Sequence, residues 1–298
     1  MPSVKEIKNR IESVKNTQKI TNAMYLISST KMRKAKSELD LTRPFFEAVK
    51  RQMARITESC EELQSPFFRE KEGACGYLVI TADKGLAGAY NQNVQKEALR
   101  LMKNESESKL YVVGECGRHF FTAHNIPIKK SFLYTAQNPS MHRAREIADT
   151  LLDAYASGAL AKIYVIYTDM ENAVSSHVKS AQLLPLSCDK FKTDREEKAH
   201  FEFVPSVKSV IENIVPSYAA GFIYSALIDS FCSEQSARMN AMDSANRNAE
   251  KLLSELSALY NHVRQSAITQ EITEVSSGAK SMRRRAEVKK EVCSHDKR

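Results

Sequence analysis

The chain has 298 residues, 42% of them hydrophobic and 27% charged, which is enough for one sizeable core or two modest ones. No apolar run approaches the roughly twenty residues that a membrane helix needs, and the start, MPSVKEIKNRIESVKNTQK, is charged from its fifth residue, so neither a secretory leader nor a transit peptide is expected and the protein should stay where it is made. A formal net charge of +8 suits nucleic acid, an anionic membrane surface or acidic proteins without choosing among them, and six cysteines without CxxC spacing read as reduced thiols.

The first predicted element, over residues 1–58, is a long helix. Val4, Ile7, Ile11 and Val14 follow alternating steps of three and four, but the next seam positions are Gln18 and Thr21, and an apolar stripe resumes displaced at Ile20, Met24 and Ile27. The helix is strongly basic over its first 36 residues, with Lys5, Lys8, Arg10, Lys15, Lys19, Lys31, Arg33, Lys34 and Lys36 against Glu6 and Glu12. Such a run is either a solvated face or an electrostatic contact for acidic partners.

Composition changes from about Pro66. CGYLVITAD (Cys75 to Asp83) reads as a buried strand ending at the glycine-bearing turn GLAG (Gly85 to Gly88), and a helix follows over Asn91 to Met102. KLYVVGEC (Lys109 to Cys116) is a second strand, backed by a short helix from Gly117 to His124. After Asn138-Pro139 a helix carries MHRAREIADTLLDAY, and AKIYVIYTDM (Ala161 to Met170) is a third strand. SSHVKSAQLLPL and HFEFVP (His200 to Pro205) read as later edge strands around the charged loop DKFKTDREEKAH. Strands alternating with helices predict a Rossmann-like α/β domain with a largely parallel sheet over residues 73–205.

Residues 206–282 form the last predicted helix. Met242, Ala245, Ala249, Leu252, Leu256, Leu259 and Val263 share one narrow stripe, which then passes to Ile268, Ile272, Val275 and Ala279 across the polar pair Gln265 and Ser266. Some seventy helical residues would span on the order of 100 Å at about 1.5 Å each, so this helix needs another long helix as partner. The predicted fold class is therefore α/β, with a long antiparallel coiled coil of N- and C-terminal helices and an inserted Rossmann-like domain. A perfectly regular pair would need no polar breaks in its seams; the plain reading of them is register-fixing residues inside an ordinary coiled coil. The basic tail, residues 283–298, shows no apolar stripe and is expected to fray.

Nothing in the chain spells a catalytic site. GLAG lacks the Gly-Lys-Ser/Thr end of a phosphate loop and the third glycine of a dinucleotide fingerprint, so it reads as a tight strand-to-helix turn. The seven histidines fall singly, without HExxH, and no GxSxG elbow occurs. Carboxylate neighbours such as Glu61-Glu62 and Glu196-Glu197 sit in charged stretches. No catalytic, cofactor-binding or metal-binding residue is assigned, and no cofactor is expected.

Three blocks resemble the gamma subunit of bacterial F-type ATP synthases. They are IKNRIESVKNTQKITNAMYLISSTKMRKA (Ile7 to Ala35), ITADKGLAGAYNQNV (Ile80 to Val94) and SEQSARMNAMDSANRNAEKLLSELSALYNHVRQSAITQEITEVSSGA (Ser233 to Ala279). Matching motifs at the start, middle and end, in order, cover nearly the whole chain.

The resemblance implies a non-catalytic rotor of the central stalk. Its terminal helices would stand inside a hexamer of alternating alpha and beta subunits, and its α/β domain would sit near the epsilon subunit and the c-subunit ring, at the cytoplasmic face of the cell membrane as a peripheral protein. Ring rotation would be transmitted to the catalytic hexamer, coupling ion flow to ATP synthesis or hydrolysis; the choice of ion belongs to the ring. By motif, Met24, Lys31, Arg33, Lys34, Arg238, Gln265, Thr269 and Glu271 match positions that contact the alpha/beta head. Asp83, Lys84, Gly85 and Gly88 match the turn of the foot domain. His262 departs from the family pattern, as does the extension KSMRRRAEVKKEVCSHDKR beyond the usual end near Gly278. Only Cys188 lies where redox-regulated members carry a cysteine pair, so thiol control of that type is not expected.

A different class of reading is a stand-alone basic coiled coil that clamps nucleic acid, supported by the net charge and Arg283 to Arg285. The basic residues are not interleaved with aromatic ones, so no stacking platform is present and nucleic acid is not expected as a partner. A third reading, an α/β enzyme with helical arms, requires a small-molecule site in the middle domain.

Overall fold

The computed structural model describes residues 3–59, 65–69, 71–103, 105, 107–133, 135–170, 176–187, 191, 203–204 and 206–295, with side chains described to Thr57 in the first of these segments and to Arg283 in the last. Cys60, Cys188, Glu61, Glu62, Glu196, Glu197 and most of the expected loop and strand over 189–205 lie outside the described residues. Two compact units emerge, Met1–Ala23 with Met242–Arg298, and Met24–Ala241. Both boundaries fall inside the two long helices, α1 (Val4–Ser59) and α5 (Val207–His295), instead of at the expected edges of the α/β insert.

In the larger unit the strands are β1 (Cys75–Ile80), β2 (Ser108–Val113), β3 (Ile128–Phe132), β4 (Lys162–Met170) and β5 (Ser176–Leu184), in sheet order β3-β2-β1-β4-β5. The first four are parallel and β5 closes the edge antiparallel to β4. The connecting helices are α2 (Tyr90–Met102), α3 (Glu115–Ala123) and α4 (Met141–Ala156). Alternation along β1 assigns the two faces. Tyr77 and Val79 pack with Val94, Ala98 and Phe121 of α2 and α3, whereas Leu78 and Ile80 pack with Ile147 and Leu151 of α4 and with Ile223 and Leu227 of α5. The strand β3, IKKSF, has no counterpart in the predicted elements, because its two exposed lysines hide a half-buried edge strand. The α3 helix starts two residues before its predicted Gly117.

An 18-residue window of α5 reaches a mean hydropathy of 1.2, and 61% of it is buried within the fold. The apolar run that the composition seemed to lack is thus a core helix lying on the sheet. Ser206 caps its start, its Oγ accepting from Ser209 N at 3.3 Å. Within this unit α1 and α5 run antiparallel: Cys232 Sγ donates to Met32 O at 4.0 Å, and further along α1 Phe46 meets Gly221 and Tyr224. Both helices pass through a proline, Pro44 and Pro216, without ending.

In the smaller unit Ser3 and Glu6 form a reciprocal capping box at the start of α1, with Ser3 N donating to Glu6 Oε2 at 2.8 Å and Glu6 N to Ser3 Oγ at 3.3 Å. On α1 Ile7 is buried and Val4, Ile11 and Val14 are half-buried, and on α5 Met242 and Leu256 are buried and Ala245, Ala249 and Leu252 half-buried, so each helix has one covered stripe. The seam stays in phase through the polar positions. Gln18 Nε2 donates to Glu250 Oε1 at 3.5 Å, and the Thr21 hydroxyl donates to the Asn246 side-chain oxygen, both across the helix pair. Gln18 and Thr21 therefore hold register. The displaced stripe predicted at Ile20 is instead 61% exposed. Past Val263 the α5 stripe is uncovered among the described residues: Ile268, Ile272, Val275 and Met282 are exposed. The helix continues through His295, where the tail was expected to fray.

Candidate functional site

In an open parallel sheet, ligands bind beyond the carboxyl ends of the strands where the strand order reverses. Here that point lies between β1 and β4, and α5 fills it. The turn leaving β1 is fixed from below by Asp83, whose Oδ1 accepts from Glu115 N at the start of α3 (3.0 Å) and whose Oδ2 accepts from Gln137 N (3.1 Å). Asn91 Oδ1 accepts from Ala82 N at 2.9 Å. Gly88 takes a left-handed φ of 55°, and Leu86 does the same at 62°. Gly114, at the end of β2, has a φ of 94°, and a Cβ there would lie 2.2 Å from Thr81 O, so only glycine lets the two strand ends meet.

From above, Arg238 of α5 reaches into the turn. Its Nη2 donates to Lys84 O (3.1 Å) and Gly85 O (3.0 Å), and its Nη1 donates to Glu234 Oε1 at 2.6 Å, one helical turn back. The Arg238 and Glu234 side chains are only 9% and 8% exposed. Burial pushes the Glu234 carboxyl up and the nearby Asp83 adds to this, while Arg238 pulls it back. Two further contacts seat α5: Ser230 Oγ accepts from Thr168 N at 3.2 Å, and Ser233 Oγ donates to Thr168 O at 3.4 Å. Ala237 packs on Ala82, Ala87 and Tyr90. The Tyr90 hydroxyl is pushed above its ordinary range by burial and by the Glu234 charge. The turn's carbonyls of Lys84 and Gly85 are thus bound by the chain's own guanidinium.

The residues expected to meet the alpha/beta head divide. Lys31, Arg33 and Lys34 are exposed on α1, Met24 is half-buried, and Lys34 makes only a loose 3.8 Å pair with Glu38. In the other unit Gln265, Thr269 and Glu271 are exposed on α5, with Thr269 Oγ1 donating to Gln265 O at 2.9 Å. Arg238 differs. It was matched by motif to a head contact; three of its N–H groups are bonded within the chain, to Glu234, Lys84 and Gly85, which joins it to the turn Asp83, Lys84, Gly85 and Gly88 that was expected as a separate feature. Glu234, Ser230 and Ser233 were not anticipated at all. Their signal was present as polar residues at 230, 234 and 238, four apart inside an apolar helix, a spacing that places them on one buried face.

No group of three or more His, Cys, Asp or Glu among the described residues could hold a metal. Burial pushes up the Cys75 and Cys116 thiols, and the Cys232 thiol to about 11, so all three are poor nucleophiles at neutral pH.

The arrangement is an α/β layer with α5 seated across its crevice, inserted in sequence between two long helices, the second of which carries an exposed apolar stripe. A family model described as ATP synthase matches residues 3–282. The ATP synthase gamma chain of Caldanaerobacter subterraneus subsp. tengcongensis is 42% identical over 92% of this chain and 98% of that one. The gamma chain of Acetobacterium woodii, described as sodium ion specific, is 33% identical over 94% and 99%. Among solved structures, the central stalk and c-ring of the Tetrahymena thermophila mitochondrial ATP synthase matches 76% of this chain and 99% of its own at 29% identity and a TM-score of 0.58. A Euglena gracilis mitochondrial ATP synthase chain matches 94% of both at a TM-score of 0.68, its 14% identity speaking for the fold alone. The chain belongs to the gamma-chain family of ATP synthases, the non-catalytic subunits of the central stalk. The nucleic-acid clamp gives way to this reading.

Proposed function

We propose that the chain turns as the rotor between a c-subunit ring and a hexamer of alpha and beta subunits, with an epsilon subunit beside its α/β layer, at the cytoplasmic face of a bacterial membrane. The observation that carries this is the exposed stripe Ile268, Ile272, Val275 and Met282 on α5, beyond the reach of α1 within its unit. An exposed apolar stripe of this kind marks a surface for another protein to cover. The basic cluster Lys31, Arg33 and Lys34 suits repeated contact with acidic loops of the beta subunits. Exposed ion pairs are worth only about 0.2–1 kcal/mol each, so they can form and break on every turn without trapping the rotor. Met24, Gln265, Thr269 and Glu271 complete the surface that faces the head, and Lys84, Gly85 and Gly88 belong to the foot.

Expressing this chain with its own alpha, beta and epsilon subunits tests the reading. A stable complex whose ATP hydrolysis drives ion pumping in vesicles containing the ring supports it. Charge reversal of Lys31, Arg33 and Lys34 together should lower the ions pumped per ATP, and more strongly at low salt than at high salt. A chain that purifies alone and binds duplex DNA with steep salt dependence would overturn the proposal.

A further inference from the structure

We propose that Arg238 is a positioning residue: with Glu234 it clasps the β1–α2 turn to α5 and carries torsional load between the α/β layer and that helix. This rests on the rotor reading and names the joint within it. A rotor driven at its foot must pass twist from the α/β layer into α5 without slipping. Most of the α5 contact with the sheet is apolar, through Ile223, Leu227, Ile228 and Phe231. Apolar packing resists separation, but it is non-directional and does little to oppose sliding or rotation of a helix about its own axis. Directional bonds do oppose it, and they gather at one place. Ser230 and Ser233 hold Thr168 of β4, and Arg238 holds the carbonyls of Lys84 and Gly85 beyond β1, so α5 is bonded to both sides of the central strand pair. The turn is braced in its turn, because Asp83 ties it to α3 and to Gln137. Glu234 fixes the guanidinium's orientation at 2.6 Å while burial excludes the water that would compete for it. Bound this way, Arg238 acts inside the rotor and not on the head.

The test compares assembled complexes carrying the native chain with ones carrying Glu234→Gln/Arg238→Met, a double variant that leaves no buried charge unpaired and so still folds. Amide exchange in residues 84–88 should speed up by about a hundredfold, the scale expected when a buried charge-assisted network is lost. ATP hydrolysis should persist while ions pumped per ATP fall. Adding Ala87→Cys/Ala237→Cys to the double variant supplies a covalent replacement between the turn and α5, at two members of one apolar cluster. Oxidation with diamide, which takes two electrons and two protons from the thiol pair, should restore pumping, and dithiothreitol should abolish it again.

Unchanged pumping in the double variant would overturn the proposal. Lost pumping that a formed bridge fails to restore would also overturn it, because Arg238 would then act on a partner. A native complex that hydrolyses ATP without pumping would instead count against the rotor reading.

Discussion

Replacing Gly221 with alanine sets two local effects of opposite sign against each other, and the geometry decides between them. In the interior of a helix, glycine costs about 1 kcal/mol relative to alanine, so propensity alone predicts a more stable chain. The new methyl, however, would lie 2.2 Å from Phe46 Cδ1 and 2.5 Å from Cε1. Ordinary carbon contacts begin near roughly 3.5 Å, so the ring must retreat by more than about 1 Å. It can do so, because Phe46 borders a cavity lined also by Leu39, Met170 and Phe222, but in moving it gives up its packing on Tyr224, 5.9 Å away between ring centroids. Overpacking of this kind costs about 1–3 kcal/mol, so the balance is a net loss near 1 kcal/mol and a melting point lower by a few degrees. The decisive comparison is with Phe46→Ala. Once the ring is gone, Gly221→Ala should stabilise by about 1 kcal/mol, giving a coupling of about 2 kcal/mol in the double-mutant cycle. Thermal unfolding of the four chains, followed by circular dichroism at 222 nm, reads this directly. If Gly221→Ala raises the melting point equally with and without Phe46, α1 and α5 do not cross closely at this glycine and the reasoning is refuted.

Three other perturbations probe different parts of the fold. Gly114→Ala should cost about 3 kcal/mol or more, because its φ of 94° is compounded by a Cβ 2.2 Å from the Thr81 carbonyl, and backbone cannot step aside; a melting point within a degree or two of the native chain would contradict this. Asp229 is pushed from 3.8 up to about 6, chiefly by burial and next by Asp169, with Lys179 and Arg43 opposing. Its native form thus holds a proton that the unfolded chain has released, so its stabilising contribution is full below pH 3.8 and is lost as pH rises through 6. Asp229→Asn should therefore stabilise the chain by about 1–2 kcal/mol at neutral pH and flatten this part of the pH profile, as measured by urea midpoints; an unchanged slope would count against it. Thr21→Val alone should cost about 1–2 kcal/mol by leaving Asn246 without its partner, whereas Thr21→Val/Asn246→Leu should be close to neutral; equal losses in the single and double variants would mean that the pair does not bridge the helices.

The long helices and most strands were legible in the sequence because their apolar periods are long and their boundaries are marked, as with Ser206 before α5 and the GLAG turn after β1. Two kinds of feature were not. Ile20 and Ile27 look like seam residues by composition, but phase is set by the partner helix, and the polar pairs Gln18 with Glu250 and Thr21 with Asn246 keep the original stripe in contact. Periodicity in one helix cannot reveal what faces it. The crevice was equally hidden. Lys84 and Arg238 stand 154 residues apart, and only the sheet order brings α5 over the end of β1. Arg238, matched by motif to a head contact, is also bonded within the chain. The residues Lys31, Arg33, Lys34, Gln265, Thr269 and Glu271 lie on the surface, as a contact role requires.

The rotor account is tested most directly by watching the chain turn. With the alpha/beta head fixed to a surface and a bead attached through Lys129→Cys, an exposed position on β3, added ATP should drive sustained rotation in one direction that stops when ATP is exhausted. A bead that only fluctuates about one angle, while the same complexes continue to consume ATP, would contradict the account.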